Sequence, residues 1–182
     1  MAVPPAPPTT DTTPTRALTA SPLEAAAFAP FGALLEAPPA PGRSYFDAQL
    51  ANRRAAAHAS LSIARLAPLA APPLRAELFE RHAHSSQTFL PLAVARYLVV
   101  VAPPSAAGGP DPAGARAFVG RAGQGITYHP GTWHHGMTAL DAPAAFGVLM
   151  WCDGSAGDEE FVRLPIALIV DVPAAPVRGA RR

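Results

Sequence analysis

Five of the six histidines in this 182-residue chain fall in two windows, "ERHAHSSQTFLP" (80–91) and "GQGITYHPGTWHHGM" (123–137), about forty residues apart. Side chains in an extended strand repeat every two residues, so His82 and His84 are expected on one face, with Gln87 following after a turn. Two imidazoles meeting at one point suit a borderline divalent metal, which then needs a third ligand from another strand. His134, closing the GxxH unit 131–134, is the expected supplier. The candidate metal set is therefore His82, His84, Gln87 and His134. Neutral imidazoles are also the ordinary proton carriers at neutral pH, so the same cluster could run acid–base chemistry with no metal at all.

Neighbouring residue types fill out a pocket. Tyr128 and Trp133 are expected to wall it, with His129 beside them. His135 follows His134 along the strand and is expected to face away from it, which makes it the weakest of the candidate substrate contacts. Gln87 can serve as a ligand, as a hydrogen-bonding amide for a substrate, or as a strand cap. Arg81 would point away from His82 in a regular strand. A bulge would be needed to bring it to a substrate carboxylate, and a surface ion pair with Glu80 or another acid is its alternative use. The run "WCDGSAGDEEF", with Asp153, Asp158, Glu159 and Glu160, suits a metal, a general base or a solvated turn. His58, isolated from both windows, reads as an ordinary surface residue.

The elements that must position these residues are short. Residues 1–16 are rich in proline and threonine and read as a flexible tail, and 173–182, ending "VRGARR", as a flexible basic one. Between them lies a single domain, 17–172. "SPLEAAAFAPFG" has the pattern of a capping box, Ser21 with Glu24, which predicts a short helix with Leu23, Ala27 and Phe28 inward and Gly32 as its stop. "GALLEA" reads as a strand, and 47–60 is open between helix and coil. From residue 61 the chain becomes a series of strand-length runs: "LSIARLA", "AELFERH", "QTFLPL", "YLVVVAPP", "ARAFVG", "ITYHP", "GMTAL", "AFGVLMW" and "ALIVDV". Many short strands at close spacing predict an antiparallel sandwich or barrel, mainly β, rather than a parallel βαβ sheet.

Composition excludes several partners. Fourteen arginines face thirteen acids for a net charge of +1, which gives no footprint for nucleic acid. No apolar run approaches the roughly 20 residues of a membrane-spanning helix. There is no glycine-rich phosphate loop in strand-to-helix context, hence no expected nucleotide cofactor. A single cysteine, Cys152, and an N-terminus without a basic or apolar leader region point to the cytoplasm.

The motifs E-R-H-x4-Q-x-F-x-P (80–91) and G-x-x-Y-H-x-x-x-W-H-H (125–135), with "YLVVVAPP" between them and "FGVLMWCDGSAGDEEF" after them, resemble the ureidoglycolate lyase family over about residues 18–165. The resemblance implies a cupin-like (RmlC-like) double-stranded β-barrel, or jelly roll, with a few short helices and a homodimeric assembly. It implies cleavage of (S)-ureidoglycolate to glyoxylate and urea in allantoin, hence purine, degradation, and an association with nickel or a similar divalent metal. In this reading His134 or His82 takes the hydroxyl proton and a second histidine or Tyr128 protonates the leaving nitrogen. Gln87, and less directly Arg81, orient the substrate. His84 stands where some relatives carry an apolar residue, and 45–60 lacks the family's Ile-Asn-x-Gly stretch. Two other readings compete: a cupin oxygenase with iron on His82, His84 and His134, and a non-catalytic barrel that binds a small carboxylate.

Overall fold

The structure, a computed structural model, describes residues 13–174; most of both expected tails lies outside the described residues. In chain order the elements are β1 (Thr15–Thr19), β2 (Ser21–Pro22), α1 (Ala25–Phe28), β3 (Gly32–Leu35), β4 (His58–Leu66), β5 (Leu74–His82), β6 (Gln87–Ala93), β7 (Arg96–Ala102), β8 (Arg116–Arg121), β9 (Gly125–Tyr128), β10 (Trp133–His134), β11 (Thr138–Ala139), β12 (Ala144–Cys152) and β13 (Glu159–Asp171). A 3-10 turn at Asp47–Gln49 is the only regular structure in the ambiguous segment before β4.

These strands form two sheets. An eight-stranded sheet runs β1-β13-β5-β10-β7-β8-β2, with β11 also on β7, and a five-stranded sheet runs β3-β9-β6-β12-β4. The first and last strands of the larger sheet, β1 and β2, are separated in sequence by Ala20 alone, so that sheet must curl until its two ends meet. The result is the cupin-like double-stranded β-barrel. Closure hides most strand edges, which accounts for so many short strands coexisting in one domain.

The run "YLVVVA" shows how the two layers share one strand. Leu98, Val100 and Ala102 pack with Phe79, Trp133 and Leu168 inside the curl of the larger sheet. Tyr97, Val99 and Val101 face the other way, into a second core with Phe118, Ile126, Tyr128 and Phe146 between the sheets. A strand buried on both faces loses the polar–apolar alternation of a surface strand, and β7 reads as continuously apolar for that reason. Edge-to-face ring pairs such as Phe28 with Phe118 (5.8 Å, 87°) and Tyr97 with Phe146 (5.3 Å, 84°) fix the second core, each worth about 0.5–1.5 kcal/mol beyond area burial.

Three local expectations are corrected. The Ser21–Glu24 capping box does not form: Ser21 and Pro22 extend beside β8, Leu23 N–H donates to Val119 O, and the helix is one turn opened by Glu24 without a side-chain cap. Barrel closure uses the backbone that the cap would have needed. Thr15 and Arg16, placed by the sequence in the N-terminal tail, instead pair with Ala167 and Leu168 of β13. Gly32, read as a helix stop, instead begins β3, where a Cβ would collide with the Thr127 carbonyl.

Candidate active site

The site is assembled where β5 and β10 of the larger sheet face β6 and β9 of the smaller one. In β10 the two residues divide between the cores. His134 pairs with Val101, whose side chain lies between the sheets, and Trp133 pairs with Ala102, whose side chain lies inside the curl. Register therefore sends His134 and Trp133 to opposite faces. On the facing sheet Tyr128 stacks on His134, ring centroids 4.0 Å apart and 17° from parallel. Gln87 pairs with Tyr128 in register and so shares its face.

Glu80, His82 and His134 converge here, each offering one ligand atom within 4.8 Å of the others. Both histidines are almost wholly buried, at 4% and 1% exposure, with rings 6.1 Å apart. His134 Nδ1 lies 2.9 Å from the Thr132 carbonyl, which can only accept, so in the neutral ring the proton sits on Nδ1 and Nε2 carries a lone pair. That lone pair lies 3.2 Å from Glu80 Oε1 without hydrogen-bond alignment. Two acceptors this close repel, and a proton or a cation between them would relieve that repulsion.

The electrostatics agree. His134 holds the Glu80 carboxyl below its ordinary value, despite burial, so Glu80 is ionised at neutral pH. Burial, with His134 second, pushes the His82 imidazole down, so it is neutral there. Neither ring nitrogen of His82 has a hydrogen-bond partner, nor do Gln87 Oε1 and the Tyr128 hydroxyl, all buried. Burial raises the Tyr128 phenol well above its usual range and keeps it protonated. Unpartnered buried nitrogens of two imidazoles beside one ionised carboxylate fit a divalent metal by donor chemistry.

Two sequence expectations change, and two side chains turn away as strand alternation predicts. His84 does not share a face with His82: β5 ends at His82, and the next turn is captured by the buried Asp158 carboxylate, which accepts from His84 N–H (2.7 Å) and from the Ser85 hydroxyl. The His84 side chain is left in solvent. Trp133 does not wall the pocket. It is fully buried in the other core, with its indole N–H on Gly108 O and Arg81 stacked 4.5 Å above it. Arg81 accordingly lies on the face opposite His82 and pairs with Glu160 at 2.6 Å. His135 turns away as expected, its Nδ1 on Leu78 O, which removes it from the substrate contacts. His129, half-buried, sits in the β9–β10 turn, where Gly131 N–H donates to His82 O.

Sequence reasoning missed Glu80 and Arg54. Glu80 was legible: the two-residue repeat carried backward from His82 reaches Glu80 just as forward it reaches His84. Arg54 gave no signal, because its partners Asp153, Asp158 and the Trp151 carbonyl lie about a hundred residues away. A cavity of about 210 Å³ opens beside His82, lined also by Arg54, Asp158, Met150 and Cys152. Hollows of about 440 and 660 Å³ lie elsewhere and touch none of the converging residues.

Residues 15–167 match the family model described as ureidoglycolate lyase. The chain belongs to the ureidoglycolate lyase family. It is 37% identical over 139 residues to the ureidoglycolate lyase of Azotobacter vinelandii, covering 69% of this chain and 79% of that one. With the ureidoglycolate lyase of Pseudomonas syringae pv. tomato it shares 34% over 169 residues, 86% of this chain and 96% of the relative. Among solved structures it is similar to a dTDP sugar isomerase from Desulfovibrio desulfuricans, at 16% identity and TM-score 0.44 over 72% of this chain and 82% of that one. The converging Glu80, His82 and His134 lie within the matched residues.

Proposed function

We propose that this protein is a ureidoglycolate lyase, releasing urea and glyoxylate from (S)-ureidoglycolate in purine degradation, and that it works as a cytoplasmic homodimer. The observation that carries the reading is the buried cluster of Glu80, His82, His134 and Tyr128, with its unpartnered polar atoms, in a chain whose relatives bear that name. Ureidoglycolate is a carbinolamide: one carbon bears a hydroxyl, a carboxylate and the ureido nitrogen. Taking the hydroxyl proton while giving a proton to that nitrogen breaks the C–N bond, expels urea and leaves the aldehyde of glyoxylate. One base and one acid suffice.

His134 Nε2 is the proton acceptor on this reading. Its lone pair is fixed by the Nδ1–Thr132 bond, and the Glu80 carboxylate at 3.2 Å stabilises the imidazolium that forms. Tyr128, protonated and without a partner, stands against the His134 ring and supplies the proton to a leaving nitrogen whose anion is far more basic than a phenolate. Gln87 and His129 lie beside Tyr128 in the chain or the register and are the contacts we assign to orienting the substrate. Glu80, His82 and His134 would hold a divalent ion, nickel or similar, which when bound would supply Lewis acidity toward the substrate oxygens. His134 Nε2 cannot serve as ligand and base together, so the two uses are exclusive.

The test is to incubate the purified protein with racemic ureidoglycolate, with and without chelator, and to assay glyoxylate, urea and ammonia. Urea and glyoxylate without ammonia are expected, and ammonia release would replace the lyase with an amidohydrolase. Full activity after chelation assigns His134 as base; its loss, restored by added metal, assigns the triad as ligands. Two histidines and a carboxylate are also the donor set of non-haem iron oxygenases. The same assay run anaerobically is expected to keep its full rate, which an oxygenase would not.

A further inference from the structure

Arg54 comes from the largely irregular segment between β3 and β4, and it lines the cavity beside His82. Its terminal nitrogens are committed: Nη1 to Asp153 at 2.7 Å, Nη2 to the Trp151 carbonyl at 2.9 Å and to Asp158 at 3.4 Å. Its Nε–H is buried and has no partner. Asp158, itself 4% exposed, reaches within 3.8 Å of His82 Nδ1, so cavity and triad meet at that ring. We propose that this cavity receives the neutral ureido end of the substrate. The inference rests on the lyase reading and adds the orientation of the substrate.

Charge speaks against placing the substrate carboxylate in this cavity. One guanidinium already faces two carboxylates, and Glu159 also lines the cavity, so a substrate carboxylate would enter a site whose positive charge is spent. A ureido group has the complementary pattern. Its carbonyl accepts from Arg54 Nε–H, and its N–H groups donate to Asp158, whose carboxylate retains free lone pairs beyond those taken by His84 N–H and Ser85. The volume, about 210 Å³, is below the roughly 300–1,000 Å³ of drug-sized pockets and suits a small polar group. Met150 and Cys152 supply an apolar wall that strengthens each hydrogen bond made there. Asp153 holds the Arg54 guanidinium in place.

The experiment compares two probes. N-carbamoylglycine carries both the carboxylate and the ureido group but lacks the hydroxyl, so it is not cleaved; glyoxylate carries the carboxylate alone. Binding of each is measured by calorimetry to the wild type, to Arg54→Lys, which keeps the cation but loses Nε–H, and to Cys152→Leu, which fills the cavity without touching the ion pairs. Both variants are expected to weaken N-carbamoylglycine about tenfold and to leave glyoxylate within about twofold. Equal weakening of both probes, no weakening, or a wild type that does not bind N-carbamoylglycine overturns the proposal. Glyoxylate binding also reports that a variant is folded. A wild type that binds N-carbamoylglycine but releases no urea from ureidoglycolate overturns the lyase reading and leaves the pocket standing.

Discussion

Glu80 and His84 are each two residues from His82, and the fold uses them in opposite ways. Glu80 presents an ionised carboxylate to the His134 lone pair, and His84 stands in solvent beyond the end of its strand. Glu80→Gln keeps the shape but removes the charge, and its amide N–H would occupy the Nε2 lone pair. Activity is expected to fall by about 100-fold or more, with melting temperature held within a few degrees. His84→Ala is expected to keep kcat/KM within about twofold. Steady-state kinetics with thermal melts on both variants checks this, and the reverse pattern would restore His84 to the ligand set. On the proposed mechanism Tyr128 keeps its proton until the leaving nitrogen takes it, since burial raises the phenol well above its usual range.

At the scale of elements, turns decide where strands end and so what they present. Asp158 ends β5 by capturing the following turn, and Gly131, with φ of 85°, lets the β9–β10 turn reach back to His82 O. A third turn, after β11, is held by Asp141 in the left-handed region (φ 56°), paired through both carboxylate oxygens with Arg96 at the start of β7. Arg96 also donates to Pro173 O and so ties in the chain beyond β13. The hydrogen bond from Arg96 lowers the Asp141 carboxyl below its ordinary value of 3.8. A depressed folded value means that this stabilisation is complete above the ordinary value and is lost as pH falls through the folded one. The melting temperature of wild type minus that of Asp141→Asn should therefore be positive and flat at neutral pH and shrink toward zero below about pH 4. A difference that stays constant into strong acid would show that the pair does not contribute as a charge-assisted bond.

For the whole molecule, the larger sheet closes on itself, but the smaller one keeps an open edge at β4, whose Leu61 and Ile63 are 72% and 73% exposed. Ile63, Gly147 and Leu90 form one cross-strand row, and Leu92 lies further along β6, so the outer face carries an apolar surface around the edge. If the protein is the homodimer proposed above, a second copy would lie on this face. Ile63→Asp should shift the mass in sedimentation equilibrium from two chains to one, and an unchanged mass would move the interface elsewhere. By itself the sequence determined the strand-rich barrel, the two histidine windows, and His82, His134, Tyr128 and Gln87 as the residues to watch, because alternation and motif spacing are local properties of the chain. It also carried the family. Only the tertiary structure decided which neighbour of His82 joins it, that Trp133 belongs to the other core, and that Arg54 reaches the site. Those outcomes depend on where strands end and on which face register assigns each side chain, and both are set by partners such as Asp158 and Val101 far along the chain.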